Sequence, residues 1–102
     1  MSYKVTVSEV AKLDMADAAE YYEVKSKGLG KVFLLSAKHT FKMLARNPFI
    51  YVKVYKEVRR ALTAKFPYAV YYQINESEKL VTVYSVRSTY QHPESWKNSL
   101  DE

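Results

Sequence analysis

The sequence predicts an α+β fold: an N-terminal strand and a two-helix hairpin packed on a small, mostly antiparallel sheet, in the order β-α-α-β-β-β, then a short C-terminal helical turn. Apolar residues recur at helical spacing in two early segments joined by Gly28-Leu29-Gly30, and strand-like patterns fill most of residues 54–86. Two amphipathic helices must bury their apolar stripes, and the strands are the only available partner. A chain of 102 residues has room for one such domain, spanning residues 1–102.

The first strand leads directly into the first helix. Residues 4–7 alternate with a period of two, and Ser8 is suited to cap a helix that begins near Glu9. One stripe of this helix is apolar and is formed by Ala11, Met15, Ala18 and Tyr22. The acidic residues turn to the other side, which we expect to face solvent: Asp14, Asp17, Glu20 and Glu23.

The second helix follows a tight reversal. Gly28 and Gly30 tolerate left-handed dihedral angles, so we expect the first helix to end there. The apolar stripe of the second helix contains Leu34, Ala37, Phe41 and Leu44, and a basic flank beside it contains Lys31, Lys38, Lys42 and Arg46. Asn47-Pro48 ends the helix, because the residue before a proline disfavours helical dihedral angles.

Three consecutive strands are predicted after the helices, the first of them within residues 54–62. In the second strand Tyr68, Val70, Tyr72 and Ile74 share one face. Residues 75–78 form a polar hairpin loop. Residues 80–86 are apolar at nearly every position, which is typical of a central strand covered on both sides. His92-Pro93 starts the final helical turn, whose Trp96 is expected to pack on the sheet.

Composition excludes several classes of function. The chain has no cysteine, which excludes disulfides and thiolate metal sites and favours an intracellular protein. No signal peptide or membrane-spanning run is visible, so we expect a cytoplasmic protein without membrane contact. The only glycines join two helices, which argues against a phosphate-binding loop. With histidine only at positions 39 and 92, we expect neither a metal nor any other cofactor.

The positive charge is concentrated in one part of the sequence. The net charge is +5, and residues 24–75 contain eleven basic residues against one acid, Glu57. Such segregation favours a polyanionic partner, although a merely soluble basic face is the alternative. Near the predicted strand ends, basic residues sit among aromatic ones, as on surfaces that bind RNA or an acidic peptide. The candidate nucleic-acid-binding residues are Lys53, Lys56, Arg59 and Lys65.

Several motifs in the sequence resemble those of the RelE/ParE superfamily of toxins, the plasmid stabilisation proteins. They are Ala-x-x-Asp-x-x-x-Ala-x-x-Tyr-Tyr at 11–22, Gly-Leu-Gly-x-x-Phe at 28–33, Asn-Pro at 47–48, Arg-Arg-Ala-Leu followed by Phe-Pro-Tyr-x-Val-x-Tyr, and a later Pro-x-x-Trp. The resemblance implies a toxin of a two-gene toxin–antitoxin operon that a small antitoxin holds inactive. Some members cleave mRNA in the ribosomal A site without a metal, and others inhibit DNA gyrase.

Metal-free cleavage of RNA needs a base, a cation that stabilises the phosphorane, and an acid for the leaving oxygen. The resemblance implies an arginine directly after Tyr68 and a strand ending in Arg-x-His-Tyr. This chain has Ala69 at the first position and Arg87-Ser88-Thr89-Tyr90 at the second, so only the arginine and the tyrosine match. The candidate catalytic residues are Arg60, Arg87, Tyr90 and His92. The alternatives are non-catalytic roles: an exposed position on a strand for Arg60, packing for Tyr90, and an ordinary turn residue for His92.

Three functional hypotheses follow. We expect growth inhibition by ribosome-dependent mRNA cleavage, and the alternatives are a non-catalytic inhibitor of DNA gyrase and a detoxified binding module. The expected partners are an acidic antitoxin and either the ribosome with its mRNA or DNA gyrase, with a homodimer or a toxin–antitoxin hetero-oligomer as the assembly. We expect the antitoxin to dock on residues 59–62, on the basic flank of the second helix, and near Trp96.

Overall fold

The computed structural model describes residues 2–90 and confirms the predicted α+β architecture. Two helices, α1 and α2, follow the first of five strands, and a 3₁₀ turn over Pro48–Ile50 precedes the second strand. The elements are β1 (Lys4–Val7), α1 (Glu9–Lys25), α2 (Leu29–Arg46), β2 (Lys53–Tyr55), β3 (Val58–Leu62), β4 (Tyr68–Asn75) and β5 (Leu80–Ser88). The predicted C-terminal turn with His92 and Trp96 lies outside the described residues.

The five strands form one mixed sheet in the order β1-β5-β4-β3-β2. Only β1 pairs in parallel, with Val7 opposite Val83, and the other neighbours are antiparallel. The prediction of a mostly antiparallel sheet is therefore confirmed. The short strand β2 was not expected, because residues 54–62 read as one strand. Lys56, with a φ of 49°, and Glu57 turn the chain there without a glycine or asparagine to signal it.

The helical hairpin forms as its capping residues predict. The Ser8 hydroxyl accepts a hydrogen bond from the amide of Ala11 at 3.1 Å and caps α1. Gly28, with a φ of 89°, turns the chain into α2. Gly30 allows the two helices to touch, because a Cβ atom there would lie 2.5 Å from the carbonyl oxygen of Ala19. Glu23, predicted to face solvent without a role, accepts hydrogen bonds from the amides of both glycines at 3.0–3.1 Å.

The core lies between the helical hairpin and one face of the sheet. It contains the predicted stripes of both helices and the predicted face of β4. Its fully buried members include Ala11, Phe33, Leu44, Val70, Tyr72, Val81 and Val83. On the other face, by strand alternation, a smaller cluster contains Val58, Ala69 and Tyr71.

Strand β5 is an interior strand, but the prediction that both its faces are covered is wrong. Thr82 and Tyr84 remain partly exposed, because the helices cover one face only. The register shifts within this strand, so that Tyr71 lies opposite Ser85 and Tyr72 opposite Val83, and Tyr84 is the extra residue of a bulge. The bulge shifts the alternation of side chains between the two faces of the sheet by one residue, so that Val86 packs in the core.

Candidate functional site

The end of β5 is held by a carboxylate from α1. Strand β1 stops at Val7, opposite Val83, so the following part of β5 pairs with β4 on one side and has no strand on the other. The amide of Val86 donates instead to Asp14 Oδ2 at 3.0 Å, and the Ser85 hydroxyl donates to the same oxygen at 3.0 Å. Asp14 was predicted to face solvent, and this prediction is wrong. The carboxylate serves a backbone donor that the sheet leaves without a strand partner.

The same carboxylate forms an ion pair with Arg87. Arg87 Nε donates to Ser85 Oγ at 2.7 Å and lies 3.5 Å from Asp14 Oδ2. The two side chains are only 24% and 16% exposed, so solvent screens this pair less than it screens the surface pair of Lys12 with Glu9. Three groups therefore meet at the end of β5: an arginine, a hydroxyl and a carboxylate that also binds the backbone.

Two adjoining clefts open beside this network and share Tyr21 and Tyr68. One, of about 270 Å³, is lined by charged and apolar residues that include Asp14, Asp17 and Arg87. The other, of about 410 Å³, is lined by Tyr22, Lys25, Pro67, Ser88 and Tyr90 in addition to the shared pair. The structure thus brings two predicted catalytic residues, Arg87 and Tyr90, to neighbouring clefts. Tyr90 is 86% exposed.

Two tyrosines of these clefts, Tyr22 and Tyr68, are poor bases at neutral pH. Burial raises the pKa of Tyr68, and the neighbouring hydroxyl of Tyr22 adds to the effect. Burial likewise raises the pKa of Tyr22, with Tyr21 adding to it. Each hydroxyl is therefore protonated at neutral pH and acts as a neutral hydrogen-bond partner.

The cross-strand partner of Arg87 is Ala69, the residue in the position where RNA-cleaving relatives are expected to have an arginine. Ala69 is fully buried in the smaller cluster. Arg60 lies opposite Tyr71 on β3, so β4 separates it from Arg87, and its side chain is exposed. The amide of Thr89 donates to the carbonyl oxygen of Pro67 at 2.7 Å. His92 lies outside the described residues and stays a prediction.

The four predicted nucleic-acid-binding residues lie toward the two ends of β3. Lys53 pairs with Glu57 at 3.1 Å, and the Lys56 ammonium lies 5.2 Å from the ring centroid of Tyr55, both in the β2–β3 hairpin. Lys65 lies in the turn beyond the other end of β3, with a φ of 73°. Their contact with nucleic acid stays a prediction.

Arg59, the fourth of these residues, has a structural role that the sequence did not indicate. Its guanidinium donates to the carbonyl oxygens of Tyr51 at 2.6 Å and Phe49 at 3.3 Å, and lies 5.5 Å from the Phe49 ring centroid. These contacts tie β3 to the loop that follows α2.

A second surface lies on α2. The predicted basic residues Lys31, Lys38 and Lys42 are all exposed. Two apolar residues on the same helix are also exposed, Val32 by 41% and Leu35 by 56%. Cationic and apolar groups thus lie along one helix, as an acidic amphipathic partner would require.

Sequence reasoning missed three residues of the β5 end: Asp14, Tyr21 and Tyr68. The sequence did contain an indication that Asp14 lies close to the core. It stands three residues after Ala11 and four before Ala18, both buried, and residues at these spacings share one side of a helix. Within residues 2–90, no group of His, Cys, Asp and Glu is arranged to hold a metal ion. Across the same residues, no helix has the length and apolarity needed to cross a membrane.

Comparison with known proteins identifies the family. The family model for the ParE toxin of the type II toxin–antitoxin system, parDE, matches residues 5–93, and no curated protein matches the sequence. The chromosomal ParDE system from P. aeruginosa is similar at a TM-score of 0.68 and 12% identity, covering 85% of this chain and 96% of that chain. The RelBE2 toxin–antitoxin complex from Mycobacterium tuberculosis is similar at a TM-score of 0.62 and 15% identity. That match covers 86% of this chain and 99% of that chain.

The isolated E. coli RelE toxin is similar at a TM-score of 0.57 and 14% identity, covering 98% of this chain and 97% of that chain. At such identities these likenesses establish the fold alone. The family model, however, spans most of the sequence. The chain therefore belongs to the ParE toxin family of type II toxin–antitoxin systems.

Proposed function

We propose that this toxin arrests growth by inhibiting DNA gyrase and does not cleave RNA. The observation that carries the proposal is the cross-strand pair of Ala69 and Arg87. The resemblance implies that RNA-cleaving relatives have an arginine at each of these positions, whereas this pair offers a buried methyl group and a guanidinium already paired with Asp14. Inhibition by binding tolerates both features, because it requires a complementary surface and no positioned acid or base.

The remaining chemistry of the described residues agrees with a binding role. Cleavage needs a base near the 2′-hydroxyl and an acid near the leaving oxygen. Tyr22 and Tyr68 keep their protons at neutral pH, so neither is a base. His39 is exposed on α2, which belongs to the helical hairpin. The hairpin covers one face of the sheet and Arg60 lies on the other, so the sheet separates His39 from Arg60.

Ribosome-dependent mRNA cleavage, the function expected first from the sequence, is the second candidate. Two observations favour it: Arg60 and Tyr90 are both exposed, and Tyr90 lines a cleft of about 410 Å³. In that mechanism Arg60 would stabilise the phosphorane and His92 would supply the acid or base. A binding module that has lost toxicity is the third candidate.

A growth experiment separates the three candidates. After induced expression in bacteria, gyrase inhibition is expected to accumulate cleaved DNA while transcripts stay intact, and mRNA cleavage would give a ladder of cut transcripts. Normal growth at high expression would indicate a detoxified module. The Tyr90→Phe variant sharpens the comparison, because loss of its hydroxyl should leave gyrase inhibition nearly unchanged and should reduce RNA cleavage.

We further propose an acidic antitoxin as the partner, docked in part on the exposed face of α2. Two of the similar solved structures are described as toxin–antitoxin systems or complexes. In this chain the exposed lysines of α2 flank Val32 and Leu35, which offers charge and apolar area to a segment that folds on binding. Lys38→Glu should weaken binding of the antitoxin encoded by the adjacent gene. Lys12→Glu, on the other helix, should not, and equal losses in both variants would contradict this docking site.

A further inference from the structure

We propose that Asp14 is a specificity-determining residue that prevents Arg87 from acting as a phosphate-binding arginine. This inference rests on the proposed function, in which the target is a protein and RNA is not a substrate. Asp14 would act through Arg87 and would not itself touch the target. Its effect would be to lower the affinity of the sheet for RNA.

The position of the Asp14 carboxylate is fixed by several contacts. Oδ2 accepts from the Val86 amide and from the Ser85 hydroxyl, each at 3.0 Å, and both donors belong to β5. Because α1 packs on the core through Ala11 and Ala18, three and four residues to either side, the helix keeps Asp14 beside β5. The carboxylate is therefore part of the Arg87 environment.

Arg87 makes two polar contacts through its Nε atom. Its Nε donates to Ser85 Oγ at 2.7 Å and faces Asp14 Oδ2 at 3.5 Å, in a site where the two charged side chains are mostly covered. A phosphate that approached this guanidinium would meet the carboxylate as well, and like charges at such range repel strongly where screening is weak. The arginine thus contributes little net attraction for a polyanion.

The matched experiment replaces single acids and measures RNA binding. Asp14→Asn keeps an oxygen acceptor for Val86 and Ser85 but removes the charge. Asp17→Asn removes the same charge from a residue of the same cleft that makes no ion pair among residues 2–90. Binding of the full-length toxin to a fluorescent single-stranded RNA is titrated at salt concentrations between about 50 and 200 mM.

We expect Asp14→Asn to bind RNA more tightly than the native toxin and to steepen the slope of log K against log salt by about 0.7, the value for one extra phosphate contact on a single strand. Asp17→Asn should steepen the slope much less. Adding Arg87→Gln to Asp14→Asn should return the slope to the native value. Equal slopes for the two single variants would overturn the proposal.

A second variant tests the proposal even if Asp14→Asn folds poorly. In the otherwise native toxin, Arg87→Gln should leave the salt slope unchanged, because the paired arginine makes no phosphate contact that the variant could lose. A weaker affinity with a shallower slope would show that Arg87 already binds phosphate and would overturn the inference. Failure of the proposed function is seen separately, as full gyrase activity in the presence of the native toxin.

Discussion

Removing one hydroxyl from the core tests whether the loop after α2 is anchored to the sheet as described. Tyr72 is fully buried, and its hydroxyl donates to the carbonyl oxygen of Pro48 at 2.6 Å. Tyr72→Phe keeps the ring and leaves that carbonyl oxygen without this donor. A buried acceptor deprived of its partner costs about 1–3 kcal/mol. For a domain of this size, a loss of 1.5 kcal/mol lowers Tm by roughly 6–12 °C.

The comparison is made by thermal unfolding followed by circular dichroism, with Tyr84→Phe as the matched control. The Tyr84 hydroxyl donates to Gln73 Oε1 at 3.1 Å at a partly exposed site, where water can replace it. We expect this control to lose less than about 0.5 kcal/mol. Equal stability of the two variants would refute the reasoning that the Tyr72–Pro48 hydrogen bond anchors the loop.

The pH dependence gives the same residue a second test. Burial raises the pKa of the Tyr72 hydroxyl above its ordinary value, while Arg59 opposes this shift. The unfolded chain therefore releases this proton first, near pH 10, and the folded protein holds it. Stability from Tyr72 is full below about pH 10 and is lost as the pH rises above it. The difference in stability between the native protein and Tyr72→Phe should shrink above that pH, and a constant difference would contradict this assignment.

Four further substitutions test the hairpin and the loop by chemical denaturation. Gly30→Ala should lower the free energy of unfolding by about 1–3 kcal/mol, because the new methyl group overlaps the Ala19 carbonyl oxygen. In Gly28→Ala the methyl group meets open space, so the loss should be only the roughly 1–2 kcal/mol of a left-handed backbone. Glu23→Gln should lose about 1 kcal/mol through weaker hydrogen bonds to the α2 amides, and no loss would show the cap to be dispensable. Arg59→Met should lower stability by about 1–3 kcal/mol, because its hydrogen bonds to the loop are lost. A variant that keeps its stability but binds RNA more weakly would indicate that Arg59 contacts nucleic acid instead.

The helices and their packing could be predicted because they depend on residues that are close together in the sequence. The Ser8 cap and the Gly28 reversal depend on the chemistry of one or two residues, and the stripe from Ala11 to Ala18 depends only on helical geometry. The face of β4 that contains Val70 follows in the same way from strand alternation.

The candidate site could be predicted less well, because its contacts are distant in sequence. Asp14 lies 72 residues from Val86, and the need for its carboxylate arises only because β1 ends before β5 does. The role of Arg59 likewise depends on two carbonyl oxygens of an irregular loop. Side-chain type identified these residues as charged, but tertiary structure decided what each charge contacts.

The most direct test of the central claim is a supercoiling assay with purified DNA gyrase and the purified toxin. We expect the toxin to block supercoiling of a relaxed plasmid in proportion to its concentration, and the antitoxin encoded by the adjacent gene to restore supercoiling when added. The same toxin preparation should leave mRNA intact on translating ribosomes. Full supercoiling in excess toxin, together with transcripts cut in the ribosomal A site, would contradict the claim that this toxin acts by binding gyrase.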